Sequence, residues 1–542
     1  MNILALNLSL STQLKTQGHN VLECKPPQGT LVDVSALCRK ADFVPECIIQ
    51  QEILGRRILL LNLELMSCPK VFWSIDTHLN TYWQRYYARN FDLFLTTQKE
   101  WLPRITRAGI KNCAWLPWFG SKQDWIPWNR RKHDISFVGR VTETRPTRRW
   151  MIEFLRAYFT AHIENDIPFK AMLETYKQTR MAPNEAISGE VNFRTFESAS
   201  CGALVLSQNL GDGLRELFEP DREIITFENA LELKQILTHL TGHPEQARVT
   251  AAAGQSRIHR EHLPRHRAKR LSDLIHDVHK EKHKPEKNIW TFLASMWLGQ
   301  NTGAENNPLD TAGIEQTLPH IPETMFFRVQ SAAGDQKDIL RHLVPLARTN
   351  QFDFHLLLNV GCSFAALQAK NLELAKFFLF RYLQSGERRF RPIPDRLTLV
   401  RAWVRELVAA GEKMRPGFLY NPGVHLPQSA LECLLWLASK ISKPHILLPD
   451  ISNLLHNVPG SEPFVLQAIS QLSLYARKKW QYNMDLAQIN LKAFRLREGI
   501  EELILARENA FKAGEEKHFL LRLRRLDKKG LLYSALDEVI HA

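Results

Sequence analysis

The segment at residues 176–208, YKQTRMAPNEAISGEVNFRTFESASCGALVLSQ, contains the pattern that decides the fold. Asn192 is a favourable N-cap residue, and the residues after it predict a helix over 193–201. Gly202 suits the left-handed position that ends such a helix, and a buried strand is predicted at once over 203–207. A helix that leads directly into an apolar strand is typical of a parallel α/β sheet.

Apolar runs of this strand type recur in two parts of the chain. They are predicted as strands at residues 2–7, 20–24, 58–63, 71–75, 91–96, 134–139, 203–207 and 223–227. Helical segments separate most of them, and residues 31–39 and 45–54 are interpreted as loop and helix. Because the runs do not alternate with polar residues, they indicate strands that are covered on both faces. We therefore predict two parallel α/β sheets in succession, with a ligand cleft between their domains.

Beyond residue 285 the strand pattern disappears, and helical segments alternate with breaks rich in Pro, Gly and Asn. One helical pair, at 357–383, is similar to a tetratricopeptide (TPR) unit, but no clean 34-residue period is present. A helical bundle or irregular solenoid is preferred, with a TPR-like arrangement as the alternative. The predicted domains are 1–125 and 126–284, both α/β, and 285–542, all-α.

Composition excludes several classes of protein. Of 542 residues, 44% are apolar and 24% are charged, values typical of globular chains and not of disordered or collagen-like ones. No apolar run approaches the length of about 18 residues that a transmembrane helix needs. The chain lacks a secretory leader pattern, and none of its eight cysteines forms a CxxC pair. We therefore expect reduced thiols and a cytoplasmic location.

The net charge is +14, which favours anionic ligands, but the basic excess is spread along the chain. No nucleic-acid-binding motif accompanies it, so no nucleic-acid partner is expected. The basic and His-rich stretch at 257–287 is either a solvated helix with a linker or a contact surface for anionic lipid or for the acceptor. Membrane contact is therefore expected to be peripheral at most.

The predicted helix at 193–201 begins with residues suited to a nucleotide. A helix N-terminus supplies free N–H groups and partial positive charge for a diphosphate. Arg194 lies in the first turn, where a cation is unfavourable unless an anion binds nearby. Glu197 is on the same face, and its carboxylate can accept two hydrogen bonds from a ribose diol. The alternative is a simple Arg194–Glu197 surface ion pair.

Several segments resemble known enzymes. Asn184, Asn192-Phe-Arg-Thr-Phe-Glu197 and Ala199-Ser-Cys-Gly202 resemble the nucleotide-sugar signature of CgeB-like glycosyltransferases, named for a spore maturation protein. Asp134-Ile-Ser-Phe-Val-Gly139 followed by Arg145 resembles the strand and loop that open that family's donor domain. His262 and Arg267 resemble a His and an Arg of its terminal helix.

The resemblance implies a GT-B fold, in which two Rossmann-like domains face a cleft, related to glycosyltransferase families 1 and 4. It implies a nucleotide-diphosphate sugar, UDP- or GDP-linked, as co-substrate, with no cofactor and no metal. The implied donor-binding residues are Gly139, Arg145, Asn184, Asn192, Arg194 and Glu197, and Gly213 is a further candidate from its turn at 211–213. One departure is that Gly189 stands eight residues before Glu197, where many retaining relatives have a second Glu; Glu190 is one place off.

On the acceptor side, Asp76 and His78 follow the predicted strand at 71–75. Side chains at the carboxyl ends of parallel strands line the cleft, so either group could take the proton of an acceptor hydroxyl. The alternative is that Asp76 caps the next helix and His78 makes a local hydrogen bond. On the donor side, Gly213 belongs to a short turn at 211–213, which either touches the donor or is an ordinary turn.

The function predicted from these features is a cytoplasmic, metal-independent glycosyltransferase of the hexosyltransferase type. Its acceptor would be a protein or a glycan such as lipopolysaccharide, and its helical domain could bind a protein partner. The principal alternative is a catalytically degenerate GT-B scaffold that binds a nucleotide or sugar while the helical domain recruits partners. A nucleotide-sugar epimerase on the same fold is a third reading, and the stereochemical course is left open.

Overall fold

The computed structural model describes residues 1–143, 145–278, 289–302, 318–333, 335–389, 391–476 and 478–541. The strands in these ranges are β1 (Asn2–Leu6), β2 (Asn20–Cys24), β3 (Leu31–Asp33), β4 (Cys47–Gln51), β5 (Leu59–Leu61), β6 (Lys70–Ser74), β7 (Leu93–Thr96), β8 (Cys113–Trp115), β9 (His133–Val138), β10 (Ala161–Glu164), β11 (Thr179–Asn184), β12 (Leu204–Gln208) and β13 (Ile225–Phe227).

The helices in the same ranges are α1 (Ser11–Thr16), α2 (Val34–Lys40), α3 (Thr77–Tyr87), α4 (Leu102–Arg107), α5 (Pro146–Tyr158), α6 (Phe169–Lys177), α7 (Phe193–Ser200), α8 (Asp212–Leu217), α9 (Ala230–Gly242), α10 (Pro244–Glu261), α11 (Pro264–His276), α12 (Ile289–Thr302), α13 (Pro322–Ser331), α14 (Gln336–Arg348), α15 (Leu356–Gln368), α16 (Leu372–Ser385), α17 (Arg396–Ala409), α18 (Ala430–Ala438), α19 (Leu448–Leu455), α20 (Glu462–Tyr475), α21 (Trp480–Lys492), α22 (Leu496–Lys512), α23 (Glu516–Leu526) and α24 (Leu531–His541). Among the described residues, no helix combines the length and the apolar character needed to cross a membrane.

The first sheet has six strands in the order β2-β1-β4-β6-β7-β8. The registers of β1 with β2 and β4, of β4 with β6, and of β6 with β7 are parallel. Strands β4 and β6 are buried along their whole length, as expected for strands that are covered on both faces. The chain runs from β1 outward to β2 and then returns to β4 on the other side of β1. This reversal makes the gap between the carboxyl ends of β1 and β4 a topological switch point.

The second sheet has five parallel strands in the order β10-β9-β11-β12-β13. Its switch point lies between β9 and β11, because β10 pairs on one side of β9 and β11 on the other. After Phe227 the described residues form helices without further strands. The predicted fold class, two Rossmann-like parallel sheets followed by an all-α region, is therefore confirmed.

The described chain forms two compact units, each containing one of these large sheets; the first also contains the small parallel sheet of β3 and β5. The first contains Met1–Thr96, Trp101–Ala114 and Leu274–Leu454, and the second contains Thr97–Glu100, Trp115–Asp273 and Leu455–Ala542. The helices after residue 285 are thus divided between the units. The predicted domains 1–125, 126–284 and 285–542 differ from these units, because the helical residues bury their apolar faces against both α/β parts.

Specific contacts hold the helices to each sheet. In the first unit, Tyr86 of α3 stacks on Trp297 of α12, with ring centroids 6.1 Å apart. In the second unit, Phe494 packs against Phe154 of α5 and Phe227 of β13, within one buried cluster. Burying large aromatic side chains in this way is worth several kcal/mol per ring, which explains why the helices do not stand apart from the sheets.

Several local predictions were wrong. Residues 45–54 were interpreted as helix but contain β4, and residues 31–39 were interpreted as loop but contain β3 and α2. Strand β4 carries polar residues that resemble a helical face, yet Gln50 is buried and accepts a hydrogen bond from the Tyr87 hydroxyl at 2.7 Å. Strands β8, β10 and β11 were not predicted. In β11, Pro183 weakens the strand pattern just before Asn184.

Candidate functional site

The candidate donor residues cluster at the switch point of the second sheet. Helix α7 begins at Phe193 after the N-cap residue Asn192, whose side chain accepts a hydrogen bond from the Thr195 N–H at 3.3 Å. It ends before Gly202, which has the predicted left-handed conformation with φ +70°. Asn192 as the N-cap residue and Gly202 after the helix are therefore as predicted.

Arg194 bridges the ends of β9 and β11. Its Nε donates to the carbonyl oxygen of Val138 at 2.8 Å, and Nη1 donates to Oδ1 of Asn184 at 2.7 Å. The side chain is only 8% exposed, and its guanidinium lies 4.4 Å from the centroid of the Phe137 ring. Burial, together with the nearby Arg148, lowers the pKa of Arg194. The cation is thus held by neutral acceptors across the switch point.

Asn184 and Asn192 complete this hydrogen-bonded group. Oδ1 of Asn184 accepts a second hydrogen bond from Nδ2 of Asn192 at 3.0 Å, and Asn192 also donates to the carbonyl oxygen of Glu185 at 3.1 Å. Three of the predicted donor residues, Asn184, Asn192 and Arg194, are therefore joined in one network. Its rigidity fixes the first turn of α7 relative to the two strands.

A buried ion pair that the sequence reasoning missed supports the same place. Nε of Arg148 donates to the Glu185 carboxylate at 2.8 Å, and both residues are buried. Arg148 also donates to the carbonyl oxygen of Arg140 at 3.0 Å. Glu185 directly follows β11, so predicting that strand would have placed its carboxylate at the switch point. Arg148 and Glu185 neutralise each other's charge. In the described part of the chain, no carboxylate lies within ion-pair distance of Arg194.

Glu197 lies one turn along α7 from Arg194 and is partly buried. The predicted alternative of a surface ion pair between them is wrong, because Arg194 is buried and donates to the strand ends. Among the described residues, no hydrogen bond or ion pair reaches the Glu197 carboxylate. Burial raises the pKa of Glu197 to about 7, and the positive charge of Arg194 opposes this effect. The carboxyl group is therefore available to a ligand and changes charge near neutral pH.

Gly139 directly follows β9 and makes room for Arg194. A Cβ atom added at Gly139 would lie 2.5 Å from Nη2 of Arg194 and 3.2 Å from the ring of Phe137. The predicted strand ending in glycine thus has a physical reason: a larger residue would displace the guanidinium.

We expect Gly139→Ala to lower the free energy of unfolding by about 1–2 kcal/mol, the lower part of the usual cost of overpacking, because the tip of Arg194 can shift. Urea denaturation of the full chain measures this change. Gly242→Ala is the matched control, since an added Cβ there meets no atom within 4 Å. Equal unfolding free energies for the two variants would show that the close approach at Gly139 carries no cost.

Two other predicted donor residues lie on neighbouring elements. Arg145 is the N-cap residue of α5, one turn before Arg148. Gly213 is in the first turn of α8, where its N–H donates to a carboxylate oxygen of Glu100 at 2.6 Å. A Cβ at Gly213 would lie 2.9 Å from both oxygens of Glu100. The N–H of Gly213 is therefore occupied by a side chain of the protein itself, and donor contact at both residues stays a prediction.

His262 and Arg267 fix a backbone segment instead of presenting a free imidazole. Arg267 donates to the carbonyl oxygens of Pro117 at 2.9 Å and Trp118 at 3.0 Å, and to Nδ1 of His262 at 2.9 Å. Nε2 of His262 lies 2.7 Å from the carbonyl oxygen of Leu217. Burial, with the neighbouring Arg267, lowers the pKa of His262 to about 4. The imidazole is thus neutral at pH 7, and its Nε2–H donates to Leu217.

The predicted acceptor-side residues belong to the first unit. Asp76 is the N-cap residue of α3, directly beyond the carboxyl end of β6, but its side chain makes no capping hydrogen bond. Asp76 is partly exposed, whereas His78 is 1% exposed. A carboxylate oxygen of Asp76 and a ring nitrogen of His78 lie within 4.8 Å of each other. The Asp76 side chain therefore does not cap α3, contrary to the alternative considered for it. A catalytic role for Asp76 or His78 stays a prediction.

A family model matches the second α/β part of the chain. The model named Glyco_trans_1_2, described as glycosyl transferase-like, matches residues 124–273. Residues 124–273 are thus similar to a glycosyl transferase-like domain. This segment contains the switch point at β9 and β11, and with it Gly139, Arg145, Asn184, Arg194 and Glu197. No curated protein matches the sequence of the chain.

Solved structures of sugar-transferring proteins are similar to about half of the chain. A glycosyltransferase from Rickettsia africae has 10% identity and a TM-score of 0.38, with 51% of this chain and 98% of that one covered. Sucrose-phosphate synthase from Thermosynechococcus elongatus has 10% identity and a TM-score of 0.36, with the same coverage. HepE from Anabaena, in complex with UDP-glucose, has 10% identity and a TM-score of 0.35, with 51% and 99% covered.

Proposed function

We propose that the chain is a glycosyltransferase of the CgeB-like type that transfers a hexosyl group from a UDP- or GDP-linked sugar to an acceptor hydroxyl. The acceptor would be a protein or a glycan such as lipopolysaccharide. The glycosyl transferase-like domain at 124–273 supports sugar transfer in general. The finer assignment rests on the residues at its switch point.

The observation that carries the proposal is that Arg194 and Glu197 lie on the first turns of α7 without forming an ion pair with each other. Arg194 is a buried cation whose hydrogen-bond acceptors are neutral, so a bound diphosphate would supply the missing negative charge. Glu197 is a partly buried carboxyl group that receives no hydrogen bond from the described residues, so a ribose diol would supply its donors. Both groups lie where open α/β sheets bind ligands.

In the proposed reaction, the positive charge of Arg194 and the N-terminus of α7 would stabilise the negative charge that develops on the departing diphosphate. This arrangement would need no divalent ion at the phosphates. On the acceptor side, Asp76 would take the proton from the attacking hydroxyl, with His78 beside it. The displaced nucleoside diphosphate and the glycosylated acceptor would be the products.

A panel of UDP- and GDP-linked hexoses tests this proposal with two readouts. We expect one of them to raise the thermal unfolding temperature of the protein, because a ligand that binds only the folded state stabilises it. The same compound should release its nucleoside diphosphate in the presence of the enzyme, slowly by hydrolysis and faster with an acceptor. Thermal protection without any release would favour the non-catalytic scaffold. If no compound of the panel gives either thermal protection or release of nucleoside diphosphate, the proposal is contradicted.

The pKa of Glu197 predicts a pH dependence of donor binding. Because burial raises this pKa to about 7, the carboxyl loses its proton as the pH passes through neutrality. The ionised form is the stronger acceptor for a ribose diol, so affinity for the nucleotide sugar should rise several-fold between about pH 6 and pH 8. Calorimetric titration at several pH values measures the rise. Glu197→Gln should remove it, and an identical pH profile in that variant would exclude Glu197 as its cause.

Without ligand, the same shift has the opposite effect on folding. The folded chain holds the Glu197 proton more tightly than the unfolded chain, so the contribution of Glu197 to stability falls as the pH rises from 4.5 to about 7. Glu197→Gln should therefore reduce the loss of unfolding free energy over this range. Urea denaturation of both proteins at pH 5 and pH 7.5 would separate this effect from donor binding.

A further inference from the structure

A buried carboxylate lies at the switch point of the first sheet. Glu52 directly follows β4 and is 4% exposed. Its Oε2 accepts hydrogen bonds from the backbone N–H groups of Ile75 at 2.8 Å and Asp76 at 2.9 Å. Its Oε1 accepts one from Nδ2 of Asn80 at 2.7 Å. One carboxylate therefore holds both the turn between β6 and α3 and the first turn of that helix.

Glu52 holds the N-cap residue of α3 through that residue's backbone N–H. Asp76 occupies the N-cap position of α3, yet its own side chain makes no capping hydrogen bond. The Glu52 carboxylate from the neighbouring strand instead receives the N–H of Asp76. The backbone of Asp76 is thus fixed by a different residue.

A buried hydroxyl network surrounds the same turn. The hydroxyl of Ser74 lies 3.1 Å from Oε2 of Glu52 and 2.6 Å from the hydroxyl of Thr77, which lies 2.7 Å from the hydroxyl of Thr96. Ser74 also donates to the side-chain carbonyl of Gln84 at 2.8 Å. These residues come from the ends of three adjacent strands and from α3. A hydrogen-bonded network buried in this way resists displacement, because breaking it leaves polar groups without partners.

We infer that Glu52 is a positioning residue that sets the location of Asp76 for proton transfer. The inference rests on the proposed function, in which Asp76 accepts the proton of the acceptor hydroxyl. Glu52 does not contact substrate; it acts through the backbone of Asp76. A shift of about 1 Å in a reacting group can cost up to about a hundredfold in rate, so loosening this turn should slow transfer without weakening donor binding.

The test uses Glu52→Gln in the full chain, which keeps the side-chain volume but removes the charge. In the wild type, an oxygen of Glu52 accepts a hydrogen bond from Nδ2 of Asn80. In the variant, the side-chain NH2 of glutamine would face this donor, and the hydrogen bond would be lost. We expect kcat for transfer to fall about tenfold, with the Kd for the nucleoside diphosphate unchanged. Hydrogen exchange of the backbone amides at 75–80 should become faster.

Asp92→Asn is the matched control, because Asp92 is another buried carboxylate of the same sheet. It accepts the N–H of Lys70 at 2.7 Å, at the opposite ends of the strands. That variant should leave kcat and exchange at 75–80 close to wild type. In an Asp76→Asn background, the residual rate should be the same with and without Glu52→Gln, since a residue acting through Asp76 has nothing left to position.

Each other outcome is decisive. A fall in kcat with Asp92→Asn as large as with Glu52→Gln would mean that lost stability, not positioning, slows the enzyme, and would overturn the inference. So would an equal effect of Glu52→Gln with and without Asp76. Absence of transfer by the wild type would contradict the proposed function alone. Hydrogen exchange would then test whether Glu52 holds the backbone of Asp76. Faster exchange at 75–80 in Glu52→Gln supports this inference, and unchanged exchange overturns it.

Discussion

Asp76→Asn is expected to lower kcat for sugar transfer by about 10²–10⁴-fold, the usual contribution of a positioned general base. Asparagine keeps the size of the side chain but cannot take a proton from the acceptor hydroxyl. Asp76 is partly exposed and does not cap α3 with its side chain, so the fold should tolerate the change. Steady-state kinetics of nucleoside diphosphate release, with donor affinity measured in parallel, tests this.

The control for Asp76 is Asp42→Asn. Asp42 is exposed and has a left-handed backbone with φ 47°, a conformation that asparagine adopts readily. This variant should keep wild-type kcat. A rate for Asp76→Asn within about twofold of wild type would remove Asp76 from the reaction, and His78 would then be the next group to replace.

Glu197→Ala is expected to weaken nucleoside diphosphate binding by roughly tenfold to a hundredfold. The change removes a charged hydrogen-bond acceptor, typically worth about 1.5–3 kcal/mol, and about 1.4 kcal/mol corresponds to one decade of affinity. Stability at pH 8 should not fall, because no hydrogen bond from the described residues reaches this carboxylate and burial disfavours its ionised form. Calorimetric titration of UDP and GDP at pH 8, where the carboxyl is largely ionised, measures the affinities.

Glu174→Ala serves as the control for Glu197. Glu174 is an exposed residue of α6 whose carboxylate pairs with Lys177, so its removal should not affect nucleotide binding. If Glu197→Ala and wild type bind the nucleotide equally, Glu197 does not hold the ribose, and the diol must be recognised elsewhere.

The local pattern around α7 was predictable because short-range chemistry decides it. Asn192 as the N-cap residue and Gly202 after the helix depend on backbone hydrogen bonds within a few residues, and both predictions hold. The orientation of Arg194 was not predictable in the same way. Its acceptors, Val138 and Asn184, come from distant positions in the chain, and one of them lies on a strand that the sequence did not reveal.

The same limit applies to the first sheet and to the helices. Strand β4 and the carboxylate of Glu52 were missed because the sequence Gln50-Gln51-Glu52 is polar, and only the folded structure supplies partners that allow it to be buried. The all-α character of the last part followed from its pattern of apolar residues. Which helix packs on which sheet depends on side-chain fit between distant segments, as for Phe494 on Phe227, and local periodicity does not encode it.

The most direct test of the central claim compares wild type and Asp76→Asn with the one UDP- or GDP-linked sugar that protects the protein against thermal unfolding. The quantity to measure is the nucleoside diphosphate released per enzyme per minute, with the Kd of the sugar nucleotide determined for both proteins. The account predicts equal Kd values for the two proteins. It also predicts that the variant releases nucleoside diphosphate at least about a hundredfold more slowly than the wild type. Equal affinities with no release by either protein would contradict the claim of an enzyme and leave a nucleotide-binding scaffold.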